Sequence, residues 1–366
     1  MLATLVLVTH AANPFTPDAY HAQLAQSMLI ERGKAITTQR MTVIDPHGVS
    51  LDGVYTIADF GEDRRPTSLG QDVRAAAQRS NLAQLDRAAE TGQYLYLFDR
   101  CLELGNDTVI LPLGVGGQQG QTRDREALPE AAEQVGYRLV TENDDYQLYH
   151  ISTPGTFGVV TTYRLAAIGP GAGDVALNFP AMEELGDVRL DHYDVQELAK
   201  YDLVCLAGFT DKELSKGEAL IDALSAQGTR VLVVADVDQL LAQASDLDPT
   251  ELPQREIVPI DLHYRRNVIT INSPADHVNT TLAYQGIFRP DRDDVEKVNH
   301  LTVVNEGRTT IRLARPHLAP GLIMTMVGLM ATAAYLIFMK KRMTSPMEGS
   351  PEAEEAPAQE EAPAAP

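Results

Sequence analysis

The amino-acid sequence predicts an α/β fold, in which a parallel sheet with flanking helices is followed by a small β-rich segment and one C-terminal transmembrane helix. Three observations lead to this prediction. Strand-like and helix-like runs alternate from residue 162 to residue 238, as expected for parallel β-α-β units. Short strand-like runs then succeed one another from residue 255 to residue 315. Residues 321–339 carry no charge, and at about 1.5 Å per residue they would span roughly 28 Å as a helix, close to the ~30 Å hydrocarbon core of a bilayer.

The chain before residue 150 is predicted to mix helices and strands. Apolar residues at helical spacing indicate helices at 81–92 and 94–105, which end at Gly92 and Gly105. A helix at 127–136 ends in the same way. The other predicted elements are a helix at 22–33, strands at 41–45 and 108–113, a loop at 114–122 and a hairpin at 137–151.

The predicted parallel sheet has four strands with helices between them. The strands are expected at 162–169, 187–194, 202–209 and 229–238, and the helices near 180–185 and at 195–201 and 215–228. The apolar run at 202–209 indicates a strand that is buried on both faces. In the last helix Leu220, Ala223 and Leu224 share one face, and Gly228 marks its end. Strand-like runs of the β-rich segment lie at 255–260, 266–271, 282–288, 301–307 and 309–315.

These elements divide the chain into six regions. They are 1–10, interpreted as the end of a preceding membrane helix; 11–150, an α+β region; 151–245, a parallel α/β domain; 246–316, a β-rich membrane-proximal segment; 319–340, the transmembrane helix; and 343–366, an acidic tail. The tail is rich in Pro and Ala and has no basic residue after Arg342, a composition that predicts disorder.

The charge and the cysteines exclude several classes of function. The formal net charge is −21 and nothing in the sequence resembles a basic stripe, which argues against a nucleic-acid partner. Cys101 and Cys205 lie in apolar contexts and are predicted to be buried small hydrophobes. The nine histidines are scattered without metal-ligand spacing, so the sequence predicts no metal and no cofactor.

The candidate ligand site is the crevice beyond the carboxyl ends of the predicted parallel strands, where ligands bind in open α/β sheets. A glycine-rich run follows the first of these strands, as phosphate-binding loops do. The third position after Gly171 is Asp174 and not glycine, so the dinucleotide fingerprint fails and a carboxylate would repel phosphate. A tight turn that needs positive φ is the favoured interpretation, and a neutral ligand stays open. The candidate ligand-binding residues are Gly169, Gly171, Gly173, Asp174, Phe209, Asp211, Lys212 and Asp236.

No catalytic residue is assigned. Residues 201–234 resemble the third and fourth strands of the glutamine-amidotransferase-like, flavodoxin-like variant of the doubly wound fold. The nucleophile of amidotransferases is a cysteine on a sharp strand-to-helix elbow. Cys205 lies in mid-strand without elbow glycines, and the sequence has no Gly-x-Ser-x-Gly elbow either.

The orientation of the transmembrane helix has two interpretations. A basic cluster follows the apolar stretch at once and favours a cytoplasmic C-terminus; its members are Lys340, Lys341 and Arg342. Arg308, Arg312 and Arg315, before the helix, reduce this asymmetry. The chain is either a tail-anchored protein with a cytoplasmic domain or the last part of a polytopic protein whose earlier helices export the domain.

Six segments follow one another in an order that resembles a known family. They are TTQRMTVID (37–45), YLYLFDRCLELGNDTVILP (94–112), GYRLVTENDDYQLYH (136–150), PGTFGVVTTYRLAAIGPGAGDVALNFP (154–180), YDLVCLAGFT (201–210) and TIRLARPHLAPGLIMTMVGL (310–329). Together they resemble the C-terminal extracytoplasmic half of large bacterial membrane proteins labelled "6-pyruvoyl-tetrahydropterin synthase-related". The resemblance covers residues 35 to 340.

The resemblance implies an architecture similar to that of membrane glycosyltransferases that use lipid-linked sugars. It does not imply pterin chemistry, because this sequence lacks the histidine triad with Cys and Asp or Glu that a pterin synthase needs. The acidic catalytic residues of such transferases lie in an early external loop that this chain does not contain. No catalytic residue is therefore carried over to this chain.

The sequence thus predicts a membrane-anchored extracytoplasmic module that recognises a glycan, a lipid-linked sugar or a partner, with other membrane subunits as further partners. Its expected role is accessory, in the assembly of cell-envelope glycans. One alternative is an envelope hydrolase or transferase that acts in the crevice around residues 169–174 and Asp236. Another is a tail-anchored cytoplasmic scaffold.

Overall fold

A computed structural model describes residues 28–44, 79–113, 118–144, 146–179, 182–185, 189–236, 238–240, 254–314 and 318–344. The chain divides into two compact units, Met1–Leu313 and Ala314–Pro366. The predicted end of a preceding membrane helix at 1–10 and the acidic tail after residue 344 lie outside the described residues.

The first unit alternates helices with short strands. Its helices are α1 Met28–Ile36, α2 Arg79–Thr91, α3 Tyr94–Glu103, α4 Gln118–Val135, α5 Ala172–Asn178, α6 Val195–Leu198 and α7 Asp211–Ala226, with a 3-10 helix at Leu190–His192. Its strands up to residue 234 are β1 Met41–Val43, β2 Thr108–Pro112, β3 Arg138–Glu142, β4 Tyr146–His150, β5 Phe157–Thr162, β6 Leu165–Ile168, β7 Met182–Glu184, β8 Leu203–Ala207 and β9 Arg230–Val234. The later strands are β10 Gln254–Pro259, β11 Asp261–Arg265, β12 Val268–Ser273, β13 Val278–Ala283, β14 Phe288–Pro290, β15 Glu296–Val298, β16 Leu301–Val304 and β17 Gly307–Leu313.

The predicted fold class is wrong for the chain, because only one of its four sheets is parallel. The parallel sheet has the order β7-β6-β8-β9. A mixed sheet has the order β1-β2-β4-β3, in which only β1 and β2 are parallel. The five-stranded sheet β10-β5-β13-β16-β15 and the late sheet β11-β12-β17-β14 are antiparallel throughout. The protein is therefore a mixed α/β fold with many strands, not a doubly wound sheet with a small appendage.

Several predicted elements are confirmed by the structure. Helices α2 and α3 end directly before or near Gly92 and Gly105, whose φ values are 74° and 80°. Strand β8 is buried at all five positions, as the apolar run predicts. The hairpin of β3 and β4 forms in antiparallel register, with Arg138 opposite His150.

Other predicted elements are wrong. The helix expected near 180–185 is strand β7, and the strand expected at 187–194 contains the 3-10 helix and ends at Asp194. Asp194 accepts a hydrogen bond from Gln196 N at 2.6 Å. This hydrogen bond caps the N-terminus of α6 and favours the start of a helix over the end of a strand. The loop expected at 114–122 is replaced from Gln118 onward by helix α4.

The five-stranded sheet joins two parts of the chain that are distant in sequence. Strand β5 pairs with β10 along its whole length, from Gln254 opposite Thr162 to Pro259 opposite Phe157. The parallel sheet is formed by residues that lie between these two strands in the sequence. The parallel part is therefore an insertion between two neighbouring strands of one antiparallel sheet.

The largest hydrophobic core lies between the mixed sheet and helices α2, α3 and α4. Phe98 of α3 is at its centre, with its ring centroid 4.9 Å from that of Tyr149 in an edge-to-face arrangement. Leu85 and Leu97 are fully buried beside it. Each such side chain contributes about 1.5–3 kcal/mol relative to an exposed one. Helix α1 covers the other face of the mixed sheet through Leu29 and Ile30.

The second unit contains one helix, α8, Leu318–Thr344. Its segment Pro320–Lys340 has a mean hydropathy of 2.1 and is long and apolar enough to cross a membrane. None of this segment is buried within the structure, in contrast to the core helix of a soluble domain. The coarse prediction of a C-terminal helix suited to a bilayer is thus confirmed.

Candidate functional site

The glycine-rich loop after β6 packs tightly against the loop after β8. Gly171 N donates a hydrogen bond to Ala207 O at 3.1 Å. Gly169 has φ +112°, and a Cβ atom there would clash with Ala207 O and lie 2.6 Å from Phe209 Cε2. These glycines are explained by the close approach of two backbones, which fills the space between the carboxyl ends of β6 and β8.

The other predicted site residues do not converge on one cavity of the described structure. Asp174 forms an ion pair with Arg87 of α2. Asp236 Oδ1 accepts a hydrogen bond from Gln239 N at 2.9 Å. Asp211 and Lys212 are exposed in the first turn of α7, and Gly173 lies beside the carboxylate of Glu184. Of the eight residues only Phe209 lines a described cavity, which has a volume of about 400 Å³. As ligand contacts, all eight stay a prediction.

A second cavity, polar and about 410 Å³ in volume, lies along the free edge of the parallel sheet, beside β7. It is bounded by α2, by β7, by α6 with the residues after it, and by the turn between β15 and β16. Its lining residues are Asn81, Gln84, Glu183, Glu184, Leu185, Glu197, Lys200, Tyr201, Lys297, Val298, Asn299 and His300. Most of them carry a charge or an amide, so the cavity suits a ligand with many hydrogen-bonding groups.

Glu183 is the least exposed carboxylate of this cavity and is fixed by two donors. Tyr201 Oη donates to Glu183 Oε2 at 2.5 Å, and Arg164 Nη2 lies 3.4 Å from Glu183 Oε1. Burial raises the pKa of Glu183, and Arg164 and Tyr201 only partly offset this effect, so the net shift is upward. The Glu183 carboxyl therefore holds a proton more readily than an exposed glutamate does.

Glu184 connects the cavity to the hydrophobic core through a chain of hydrogen bonds. Gln84 Nε2 donates to Glu184 Oε2 at 2.8 Å, and Gln84 Oε1 accepts from Tyr96 Oη at 3.0 Å. Tyr96 Oη in turn accepts from Arg100 Nη2 at 3.1 Å. Since each amide and hydroxyl in this chain uses both its donor and its acceptor, the side chains that form this wall are held in one arrangement.

Four charged side chains lie buried behind this wall. Arg100 forms a salt bridge with Glu103 one turn further along α3, and both side chains are almost fully buried. Arg255 of β10 lies between Asp99 and Glu103, at 2.7 Å and 3.5 Å. Burial alone would raise the pKa of Glu103, but Arg100 and Arg255 lower it and the net shift is downward. The cluster has two positive and two negative charges, so its burial leaves no net charge in the core.

The turn between β15 and β16 is held in place by the same cluster. Asn299 and His300 have φ values of 46° and 62°, as the central residues of a two-residue hairpin turn do. Asn299 Nδ2 donates to Glu103 Oε1 at 3.1 Å, and Asn299 O accepts from Asn81 Nδ2 at 2.9 Å. Asn299 thus connects the buried charges, helix α2 and the cavity rim.

Donor groups of the cavity come from the residues after α6, from β15 and from the turn that follows β15. Lys200 Nζ lies 3.2 Å from Glu296 Oε2 and 5.7 Å from the centroid of the Tyr201 ring. Lys297 and His300 contribute further donors, and burial lowers the pKa of His300. In the described part of the chain no group of three or more His, Cys, Asp or Glu side chains could hold a metal ion. The cavity can therefore accept and donate hydrogen bonds with its own side chains on either side of a ligand.

The sequence does not predict this cavity. Its residues range from Asn81 to His300, and no local pattern connects them. Two weak signals were present. Two consecutive glutamates are unusual in a strand, and Asn299 between two short apolar runs is typical of a tight turn.

Two family models match the chain. Residues 23–162 match a domain of unknown function (DUF8559), and residues 164–247 match a second domain of unknown function (DUF8560). The border between the two matches falls between the end of β5 and the start of β6. The second match thus covers the parallel insertion. No curated protein and no solved structure matches the chain.

Proposed function

We propose that the chain is a membrane-anchored, extracytoplasmic recognition module of a bacterial membrane protein, which binds a glycan or lipid-linked sugar during the assembly of cell-envelope glycans. The observation that carries the proposal is the polar cavity of about 410 Å³ beside β7. This volume lies within the range of ~300–1,000 Å³ that is usual for small-molecule sites.

The groups around the cavity fit the hydroxyls of a sugar. A sugar hydroxyl donates one hydrogen bond and accepts others, so it needs acceptors and donors close together. Glu183 and Glu184 supply acceptors, and Lys200, Lys297 and Asn81 supply donors. Charged partners strengthen such hydrogen bonds relative to neutral ones.

The wall of the cavity is organised before any ligand arrives. Gln84, Tyr96 and Arg100 form a continuous chain of hydrogen bonds behind Glu184, and Asn299 is fixed by Glu103. A site of this kind loses little side-chain entropy on binding, which favours recognition of one ligand shape.

The extracytoplasmic location rests on helix α8 and on the residues that follow it. A cytoplasmic C-terminus is favoured by the basic residues Lys340, Lys341 and Arg342, and it would place the first unit on the other side of the membrane. The order of segments that resembles the 6-pyruvoyl-tetrahydropterin synthase-related membrane proteins supports the same location, since in those proteins earlier helices export this half.

The proposal is tested by titrating the detergent-solubilised full chain with envelope glycans and with a lipid-linked sugar. Glu184→Gln removes an exposed carboxylate of the cavity, and its matched control is Glu218→Gln on the exposed surface of α7. We expect Glu184→Gln to weaken binding about tenfold or more, because a hydrogen bond to a charged group is lost. Equal affinities of the two variants, or no binding by the natural sequence, would contradict the proposal.

A second candidate function is an envelope hydrolase or transferase, and the raised pKa of Glu183 favours it. A carboxyl whose pKa is raised keeps its proton to a higher pH than an ordinary glutamate does, and this suits a general acid. In this case Glu183→Gln would still bind the sugar but would abolish turnover. A binding module would bind without turnover in either form.

A further inference from the structure

Three arginines form a row across the late antiparallel sheet. Arg265 of β11 lies opposite Val268 of β12, and Val268 in turn lies opposite Arg312 of β17. On the other side of β17, Arg289 of β14 lies opposite Arg312. Neighbouring strands are about 5 Å apart, so Arg289 and Arg312 are close neighbours and Arg265 lies two strands away. These three residues are called the arginine row below.

The arginine row points away from the protein core. Cross-strand partners share a face of a sheet, and successive residues alternate between faces. Ile269, Ile271 and Ile311 of β12 and β17 are buried in a common cluster on one face. All three arginines lie on the opposite face and are exposed. The positive charges of the row are therefore available to a partner outside the protein.

The row lacks counter-charges within the described part of the chain. None of its arginines forms a salt bridge with a described residue, and Arg289 donates only to the backbone oxygens of Gly286 and Phe288. Arg289 and Arg312 lie directly opposite each other, and like charges in such a pair destabilise a sheet. The formal net charge of the chain is −21, so the arginine row is a local exception to its acidic character. These exposed positive charges attract an anion from outside the protein.

The covalent chain ties the row to the start of the apolar helix. Arg312 is the second-last residue of β17, which ends at Leu313, and α8 begins at Leu318. Four residues lie between these two elements, and a fully extended segment of that length reaches about 18 Å at most. The covalent chain therefore holds the end of β17 and the start of α8 no further apart than this length.

We propose that the arginine row binds the phosphate groups of anionic phospholipids at the membrane surface. The planar guanidinium of arginine donates two parallel hydrogen bonds to a phosphate, whereas the ammonium group of lysine acts as a point charge. Basic residues next to a membrane-spanning helix are attracted by the negative surface of anionic bilayers. The inference depends on α8 spanning a bilayer, and it is independent of which ligand the polar cavity binds.

The test places the full chain in lipid nanodiscs of phosphatidylcholine, with or without phosphatidylglycerol. An environment-sensitive dye is attached at Asn267→Cys, in the exposed turn between β11 and β12. A control dye is attached at Glu306→Cys, in the exposed turn before β17 at the other end of the sheet. Cys101 and Cys205 are buried and should not react.

We expect phosphatidylglycerol to shift the emission of the first dye but not of the control dye, and high salt should reverse the shift. The triple variant Arg265→Gln, Arg289→Gln, Arg312→Gln should lose the shift. Arg312→Gln alone should raise the fraction of phosphatidylglycerol needed for half of the shift about fivefold. Its matched control is Arg308→Gln, an exposed arginine of the same strand, which should change nothing.

Two results would overturn the inference. One is the same emission in both kinds of nanodisc. The other is a lipid-dependent shift that the triple variant retains, since the attraction would then come from another basic group such as the cluster at Lys340, Lys341 and Arg342.

Discussion

Arg255 donates hydrogen bonds from Nε and Nη2 to the two carboxylate oxygens of Asp99, at 2.9 Å and 2.7 Å. The pair joins β10 to α3 across 156 residues of sequence. The same guanidinium donates from Nη1 to Thr161 Oγ1 of β5 at 2.7 Å. Arg255 thus connects the region of the first family match to the strand that follows the parallel insertion.

Loss of Arg255 should destabilise the protein strongly. Arg255→Met leaves the buried carboxylates of Asp99 and Glu103 with a single guanidinium, that of Arg100. Breaking a buried ion pair in this way lowers the free energy of unfolding by about 3–5 kcal/mol. The measurement is the free energy of unfolding of the full chain in detergent. The matched control is Arg138→Met on the exposed strand β3, which should change it by less than about 0.5 kcal/mol.

The double variant Asp99→Leu, Arg255→Met tests whether the loss comes from an unpaired charge. It removes one positive and one negative charge and leaves the Arg100–Glu103 pair in place. We expect it to be more stable than Arg255→Met alone, because replacing a whole buried pair costs less than breaking it. Strictly additive effects of the two substitutions would argue against the pairing.

The raised pKa of Glu183 predicts that ionisation of this residue lowers the stability of the folded protein as the pH rises. Above pH 4.5, the ordinary pKa, the unfolded state loses its proton first, so the folded state binds more protons and stability falls as the pH rises. Glu183→Gln cannot ionise. The melting temperature of this variant minus that of the natural sequence should therefore increase from pH 4.5 towards neutral pH.

Glu218→Gln, on the exposed surface of α7, serves as the reference for loss of one carboxylate in this experiment. A difference in melting temperature that stays constant or decreases with pH, relative to this reference, would show that folding does not raise the pKa of Glu183.

His277 should reduce stability in acid. Burial, assisted by Arg164 and Lys200 and opposed by Glu296 and Asp276, lowers the pKa of His277 from 6.5 to about 4. Between these two values the unfolded state binds the proton and the folded state does not, so stability is lost as the pH falls from 6.5 towards 4.

The variant His277→Asn should lose less of its melting temperature over this pH interval than the natural sequence does. Asparagine tolerates the left-handed backbone at this position, where φ is 55°, and it does not titrate. Parallel curves for the two proteins would place the acid-sensitive group elsewhere.

The glycine-rich loop after β6 should respond to substitution as a packing element. Gly169→Ala places a methyl group against Ala207 O and the Phe209 ring and also requires φ +112°. Gly92→Ala is the matched control, since it has φ +74° and meets no atom within 4 Å. Gly92→Ala should lower the free energy of unfolding by about 1–2 kcal/mol because of its backbone conformation alone, and Gly169→Ala should lower it clearly more. Equal unfolding free energies would mean that the two loops can move apart.

Local patterns were sufficient for the elements that are decided by their own residues. Helix α7 ends before Gly228 as expected, and β8 is buried because its side chains are apolar on both faces. Strand β7 was missed because its three residues, Met182–Glu184, have no periodicity and become a strand only by pairing with β6. Short edge strands of this kind depend on tertiary contacts.

The whole-chain architecture could not be read from periodicity. Strands β5 and β10 are neighbours in the five-stranded sheet although the parallel insertion separates them in sequence. A pattern of alternating residues identifies a strand but not its partner. The cavity escaped prediction for the same reason, because Asn81, Glu183 and Asn299 meet only when three separate parts of the chain pack together.

The extracytoplasmic location of the first unit is tested most directly by its accessibility in intact cells that express the protein from its own gene. Glu218→Cys, on exposed α7, is treated with a membrane-impermeant thiol reagent, and Thr344→Cys, after the apolar segment of α8, is treated in the same way. We expect labelling of Glu218→Cys in intact cells and labelling of Thr344→Cys only after lysis. Labelling of Glu218→Cys only after lysis would place the domain in the cytoplasm and contradict a role in recognising envelope glycans.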